Sequence, residues 1–255
     1  MNPLESALTE LVVANRVLSN ENIVDGYGHV SIRHPHDASR FFMARSLPPE
    51  MVERGDLMEF AVADARPIDD DRQPAVERFI HSEILAARPD VQAVVHAHAE
   101  DVLPFSITDV ALTPVIHSGS FMGSRVPVWD IAHRFGDTNM LVTNVAQGRD
   151  LAACLGHANV VLMRGHGFAA VARTLIEVVR LSVYLPRNAR VQLAAMQMGA
   201  FRTLSEGEIA ARDSTYQPFQ LWRAWQYWAH RAGCSHLLPE DPAAKVENGS
   251  GQPQS

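Results

Sequence analysis

Residues 88–98 read Arg88-Pro89-Asp90-Val91-Gln92-Ala93-Val94-Val95-His96-Ala97-His98. A short apolar run ends there in two histidines one residue apart. In an extended strand, side chains at i and i+2 leave the same face. Both imidazoles therefore point to one side of a sheet, close enough to grip one ion. Divalent transition metals are commonly held by imidazole nitrogen with a third His or a carboxylate, one position staying open for substrate.

The flanks supply that third His and that carboxylate. Upstream, Phe79, Ile80 and Leu85 recur at near-helical spacing between Pro74, which suits a helix start, and Pro89, which stops it. Glu77 falls in the first turn of this helix, where the positive end of the dipole favours a carboxylate. Downstream, Asn159-Val160-Val161-Leu162-Met163-Arg164 reads as a buried strand running into Gly165-His166-Gly167. A His between two glycines sits on a tight turn that a ligand can approach closely.

Bulk properties set the frame. The chain has 255 residues, 47% of them hydrophobic, enough for one substantial core. A net charge of −7 without a basic run argues against a nucleic-acid partner. No apolar stretch approaches the ~18 residues that span a bilayer, and Met1-Asn2-Pro3-Leu4-Glu5 lacks the parts of a secretory signal. Only Cys154 and Cys234 are present, which suits free thiols. A cytoplasmic enzyme without membrane contact is the expectation.

Helices are predicted over 3–19, near 99–106, over 147–155 and over 174–198, the last kinked or split by Pro186. Strands are predicted at 30–32, 41–44, 56–62 and 140–142. Ser205-Glu206-Gly207-Glu208 is a capping box that opens a last helix toward Trp228. The acidic Asp69-Asp70-Asp71 run reads as a solvated loop. Residues 1–241 form one domain, and 242–255 have a disordered composition. Alternating strands and helices indicate a layered α/β fold.

At this point a resemblance is plain. Gly28-His29-Val30-Ser31-Ile32-Arg33 is similar to the Gly-Asn-x-Ser-x-Arg loop of the class II aldolase/adducin family. Glu77 with His81 is similar to its Glu-x-x-x-His helix, residues 88–98 match almost position for position, and Arg164-Gly165-His166-Gly167 resembles the segment carrying its third metal ligand. The resemblance implies a three-layer fold, a central mostly antiparallel β-sheet flanked by helices. It implies a homotetramer with active sites between subunits, and one Mn2+ or Zn2+ per chain, with Fe2+ as an alternative. His96, His98 and His166 would be ligands and Glu77 the acid/base, its pKa raised by burial.

One departure bears on substrate. Where sugar-phosphate aldolases of the family have a Thr-Pro-Ser-Gly-like phosphate loop and an Asn, this chain has Arg45-Ser46-Leu47-Pro48-Pro49 and His29. Guanidinium pairs with carboxylate through a two-point fork. These segments, with His117-Ser118-Gly119, resemble the family's decarboxylases of hydroxylated aromatic or pyridine carboxylates. His29, Ser31, Arg33, Arg45, Ser46 and His117 then become candidate substrate contacts. His81 would orient Glu77 from behind or approach the metal, and Arg164 would bind a carboxylate or pair with an acid. Trp222, Trp225, Tyr227 and Trp228 are expected to pack against a neighbour, or to close the site of another subunit. The competing readings are an aldolase or epimerase of a small hydroxylated substrate, an Fe(II)-dependent oxygenase, and an adducin-like interaction module.

Overall fold

Alternation along the strands sorts the apolar side chains into two layers, one on each side of a single sheet. The computed structural model describes residues 2–214 and 218–239. Helix α1 (Pro3–Asn20) is followed by β1 (His29–His34), β2 (Asp37–Ala44) and β3 (Leu57–Ala61). Then come α2 (Arg78–Ala87), β4 (Ala93–Ala97), α3 (Leu103–Ser106), β5 (Val128–Trp129), α4 (Ala132–Phe135) and α5 (Val145–Leu155). Strands β6 (Val160–Met163) and β7 (Gly167–Ala172) precede α6 (Leu175–Met198), α7 (Glu206–Ser214) and α8 (Pro218–Arg231). The seven strands lie in the order β3-β2-β1-β4-β7-β6-β5, antiparallel throughout except for the short β5–β6 pair.

Ala93, Val95 and Ala97 of β4 pack with Phe168 and Ala170 of β7 against α1, α6 and α8. Val94, Ala169 and Val171 face the other way, toward Ile80 and Ile84 of α2 and Leu151 of α5. The resulting three layers, a mostly antiparallel sheet between helices, are those the resemblance implied. By strand alternation His96 shares the α2 side with Val94, and so do His29, Ser31 and Arg33 of β1. One face of β1 is therefore polar, and it grips α2. Arg33 closes the C-terminal end of that helix: its guanidinium donates to the carbonyls of Leu85 and Arg88, and also to Val91 and Ala38.

Four local expectations need correction. Helix α2 begins at Arg78, not at Pro74, which instead forms an isolated bridge with Arg45. Met140-Leu141-Val142 is no strand but an irregular segment, because its backbone polar groups bond to side chains rather than to a neighbouring strand. Helix α6 continues through Pro186, buried in its middle; tertiary packing overrides the local loss of one helical hydrogen bond. The capping box at Ser205 and Glu208 is present but opens only α7, and Pro218 opens a separate α8. Trp225 and Trp228 are buried in this chain's own core. The expected tail lies outside the described residues. Among those described, no helix is long and apolar enough to cross a membrane.

Candidate metal centre and active site

Strand β4 and the β6–β7 turn bring the imidazoles together. His96, next to last in β4, lies opposite Ala169 of β7, and the turn ahead of β7 holds His166 beside it. Gly165 adopts a positive φ of 61° there. A Cβ on Gly167 would collide with the Ala97 carbonyl, so only glycine lets the turn close onto β4. Glu77 arrives from the start of α2, where it stands at the N-cap without capping its own helix. Its Oε1 accepts from the Val142 N–H at 2.9 Å, and its Oε2 lies 3.5 Å from His96 Nε2 and 3.6 Å from His166 Nε2. One donor atom each from Glu77, His96, His98 and His166 lies within 4.8 Å of all the others.

The tautomers follow from the backbone. His96 Nδ1 faces the Phe168 carbonyl at 3.0 Å, and His166 Nδ1 faces the Met140 carbonyl at 3.1 Å. A carbonyl only accepts, so both Nδ1 atoms carry the proton when the rings are neutral and both Nε2 lone pairs point inward. His98 Nε2 lies 3.0 Å from His96 Nε2. Three imidazoles and a carboxylate converging in this way fit a divalent transition metal, because a cation among them satisfies every inward lone pair. Met140 holds a left-handed φ of 65°, rare for a non-glycine residue, and thereby aims its carbonyl at His166. Residues 140–142 thus support two of the four cluster members. No motif marked them in the sequence, since every residue carries the same backbone groups.

Electrostatics correct one expectation. Burial would raise the Glu77 pKa, but His96 and His166, which attract and donate to the carboxylate once they carry a second proton on Nε2, outweigh it and hold the carboxyl far below its usual range. Glu77 is therefore a carboxylate in the free site, not a standing acid. Burial and the neighbouring imidazoles lower His98 to about 4. Burial also lowers His166, but the Glu77 carboxylate more than compensates and leaves it raised.

A cavity of about 500 Å3 opens over the cluster, lined by Glu77, His98, His166, His29, Arg45 and Ser46 among others. Arg45 reaches it with its Nε paired to Asp56 at 2.8 Å. Four other candidates are placed elsewhere. Arg33 is buried, its guanidinium held entirely by backbone carbonyls. Arg164 pairs with Asp130 at 2.6 Å. His117 lines a separate cavity with Arg180, Tyr184, Arg187, Arg223 and Tyr227. Ser31 is fully buried and meets His81 rather than the cavity. Replacing Arg33 with Met is expected to cost about 3 kcal/mol, the range for hydrogen bonds from a charged donor. For a chain of this size that lowers Tm by roughly 6–12 °C. A raised KM with unchanged Tm would return Arg33 to the substrate.

Comparisons with known proteins bear on this arrangement. The family profile described as Class II Aldolase and Adducin N-terminal domain matches residues 9–193. The chain belongs to that family. It is 39% identical to "Decarboxylase tropJ" of Talaromyces stipitatus over 237 residues, covering 83% of this chain and 88% of the relative. It is 27% identical to a 3,4-dihydroxyphthalate decarboxylase of Arthrobacter keyseri over 85% of this chain and 90% of that protein. An aldolase II superfamily protein from Pseudomonas syringae shares the fold, with a TM-score of 0.75, 24% identity, and coverage of 92% and 95% of the two chains. With decarboxylases among its relatives in this family, the chain is an enzyme, a lyase.

Proposed function

We propose that this class II aldolase homologue is a metal-dependent decarboxylase of an ortho-hydroxylated aromatic or pyridine carboxylate. The observation that carries the reading is the Glu77–His96–His98–His166 cluster opening into a cavity edged by Arg45. The similarity to decarboxylases over most of the chain supports it. His96, His98 and His166 would hold one divalent ion, Mn2+, Zn2+ or Fe2+, with Glu77 beside it. Such an ion supplies stabilisation of the negative charge that C–C cleavage leaves on the substrate.

The chain's own residues carry the proton. Ionised Glu77 takes the phenolic proton through Oε2 and delivers it to the ring carbon bearing the carboxylate. The bond to that carboxylate then breaks, CO2 leaves, and the bond electrons return to the ring, which ends as a phenolate carrying hydrogen. Atoms and charge balance, and a carboxylate at rest is the form this sequence of transfers needs. Val142 N–H holds Oε1 and leaves Oε2 to carry the proton, and Arg45 with Ser46 would anchor the carboxylate. His117 would meet a cluster only as part of another copy, in a tetramer with sites between subunits.

Incubation of the metal-loaded protein with a panel of ortho-hydroxylated aromatic carboxylates is expected to release CO2 without O2 uptake. Oxygen consumption would favour the Fe(II) oxygenase reading, and cleavage of small hydroxylated carbonyl compounds without CO2 the aldolase one. A second expectation concerns metal loading. Imidazole must lose its proton to ligate. His166, raised above the ordinary ~6.5 by Glu77, takes a proton first as pH falls, whereas His98 waits until about 4. Metal occupancy, followed by elemental analysis after dialysis, should therefore fall as pH drops, with His166 protonated before His98. Occupancy that is independent of pH would contradict this reading.

A further inference from the structure

Behind the cavity wall runs a chain of three polar side chains that the proton path above does not use. Ser31 Oγ lies 2.7 Å from His81 Nδ1, and His81 Nε2 lies 2.7 Å from His29 Nδ1. Ser31 and His81 are fully buried, and His29 lines the cavity. With Nδ1 turned toward His81, Nε2 is the His29 nitrogen left for the cavity.

One hydrogen lies in each gap, so the neutral chain has two arrangements. In the outward one, Ser31 O–H donates to His81 Nδ1, His81 Nε2–H donates to His29 Nδ1, and His29 offers Nε2–H to the cavity. In the inward one, every donor is reversed and His29 offers a lone pair. The inward arrangement turns the Ser31 hydrogen away from its sole hydrogen-bond partner among the described residues. A buried donor without an acceptor is costly, whereas the outward arrangement leaves none. The serine therefore sets the direction of the whole chain.

We propose that Ser31 and His81 lock His29 as a hydrogen-bond donor that reads an anionic oxygen, carboxylate or phenolate, on the substrate. His29 is the contact residue, and Ser31 and His81 are positioning residues. The identity of the acceptor rests on the decarboxylase reading, but the lock itself does not. A substrate presenting only a donor at this position would be refused, because accepting it means reversing two buried hydrogen bonds. Selectivity of this kind comes from the penalty on the wrong partner.

The test is a long-range 1H–15N correlation spectrum of the full chain labelled at histidine and loaded with Zn2+, which reports each ring's tautomer without turnover. The expected result is Nε2–H at both His29 and His81, and in Ser31→Ala a mixture of tautomers at both rings. Salicylate, used as a probe in calorimetry, should bind about 3–30-fold more weakly to Ser31→Ala, with Zn2+ content unchanged. A wild-type Nδ1–H tautomer at His29, or identical spectra for both proteins, overturns the lock. If Ser31→Ala does not fold, the wild-type spectrum alone decides. Loss of CO2 release across the substrate panel with the lock intact would refute the decarboxylase reading instead.

Discussion

His96→Ala is expected to empty the metal site and bring turnover to background. Even an outer partner of a metal-binding His commonly contributes 10–100-fold in affinity, so loss of one of three imidazoles should weaken binding by at least about 100-fold. Elemental analysis of the purified variant should find close to one metal equivalent per chain missing. His96 is also buried and donates to the Phe168 carbonyl, so the substitution disturbs the fold by about 1–3 kcal/mol. His98→Ala, at a half-buried position beyond the end of β4, separates the two effects. It should lose the metal with little change in Tm. Full occupancy in both variants would remove these histidines from the ligand set.

Glu77→Gln is expected to lower kcat by about 10²–10⁴, the range for a lost proton-transfer group, while metal and substrate still bind. Glutamine keeps a carbonyl for the Val142 N–H and nearly the same volume. It cannot take the phenolic proton. Because the three imidazoles remain, metal content should stay close to that of the wild type, and the loss should fall on kcat rather than KM. A silent substitution would reduce Glu77 to a structural carboxylate tying α2 to residues 140–142. The proton path would then need another carrier.

Much of the fold was legible because its signals are local. The apolar runs within 91–95 and 160–163 set strands, the i, i+2 rule put His96 and His98 on one side, and the glycines around His166 marked a turn. Other features depend on groups that meet only after folding. Arg33, read as a carboxylate binder by its motif, closes the end of α2, since the carbonyls of Leu85, Arg88 and Val91 are out of reach until β1 packs on that helix. Arg164 finds Asp130 across the β5–β6 pair. Residues 140–142 look like a strand from their side chains, but their backbone serves Glu77 and His166. The ionised state of Glu77 could not be read from its helix position either: burial and neighbouring charge oppose each other, and only the distances to His96 and His166 decide the winner. The sequence by itself determined which side chains share a face and where turns bend. Tertiary structure decided what each polar group meets, because backbone donors and acceptors are the same at nearly every residue and become specific only by position.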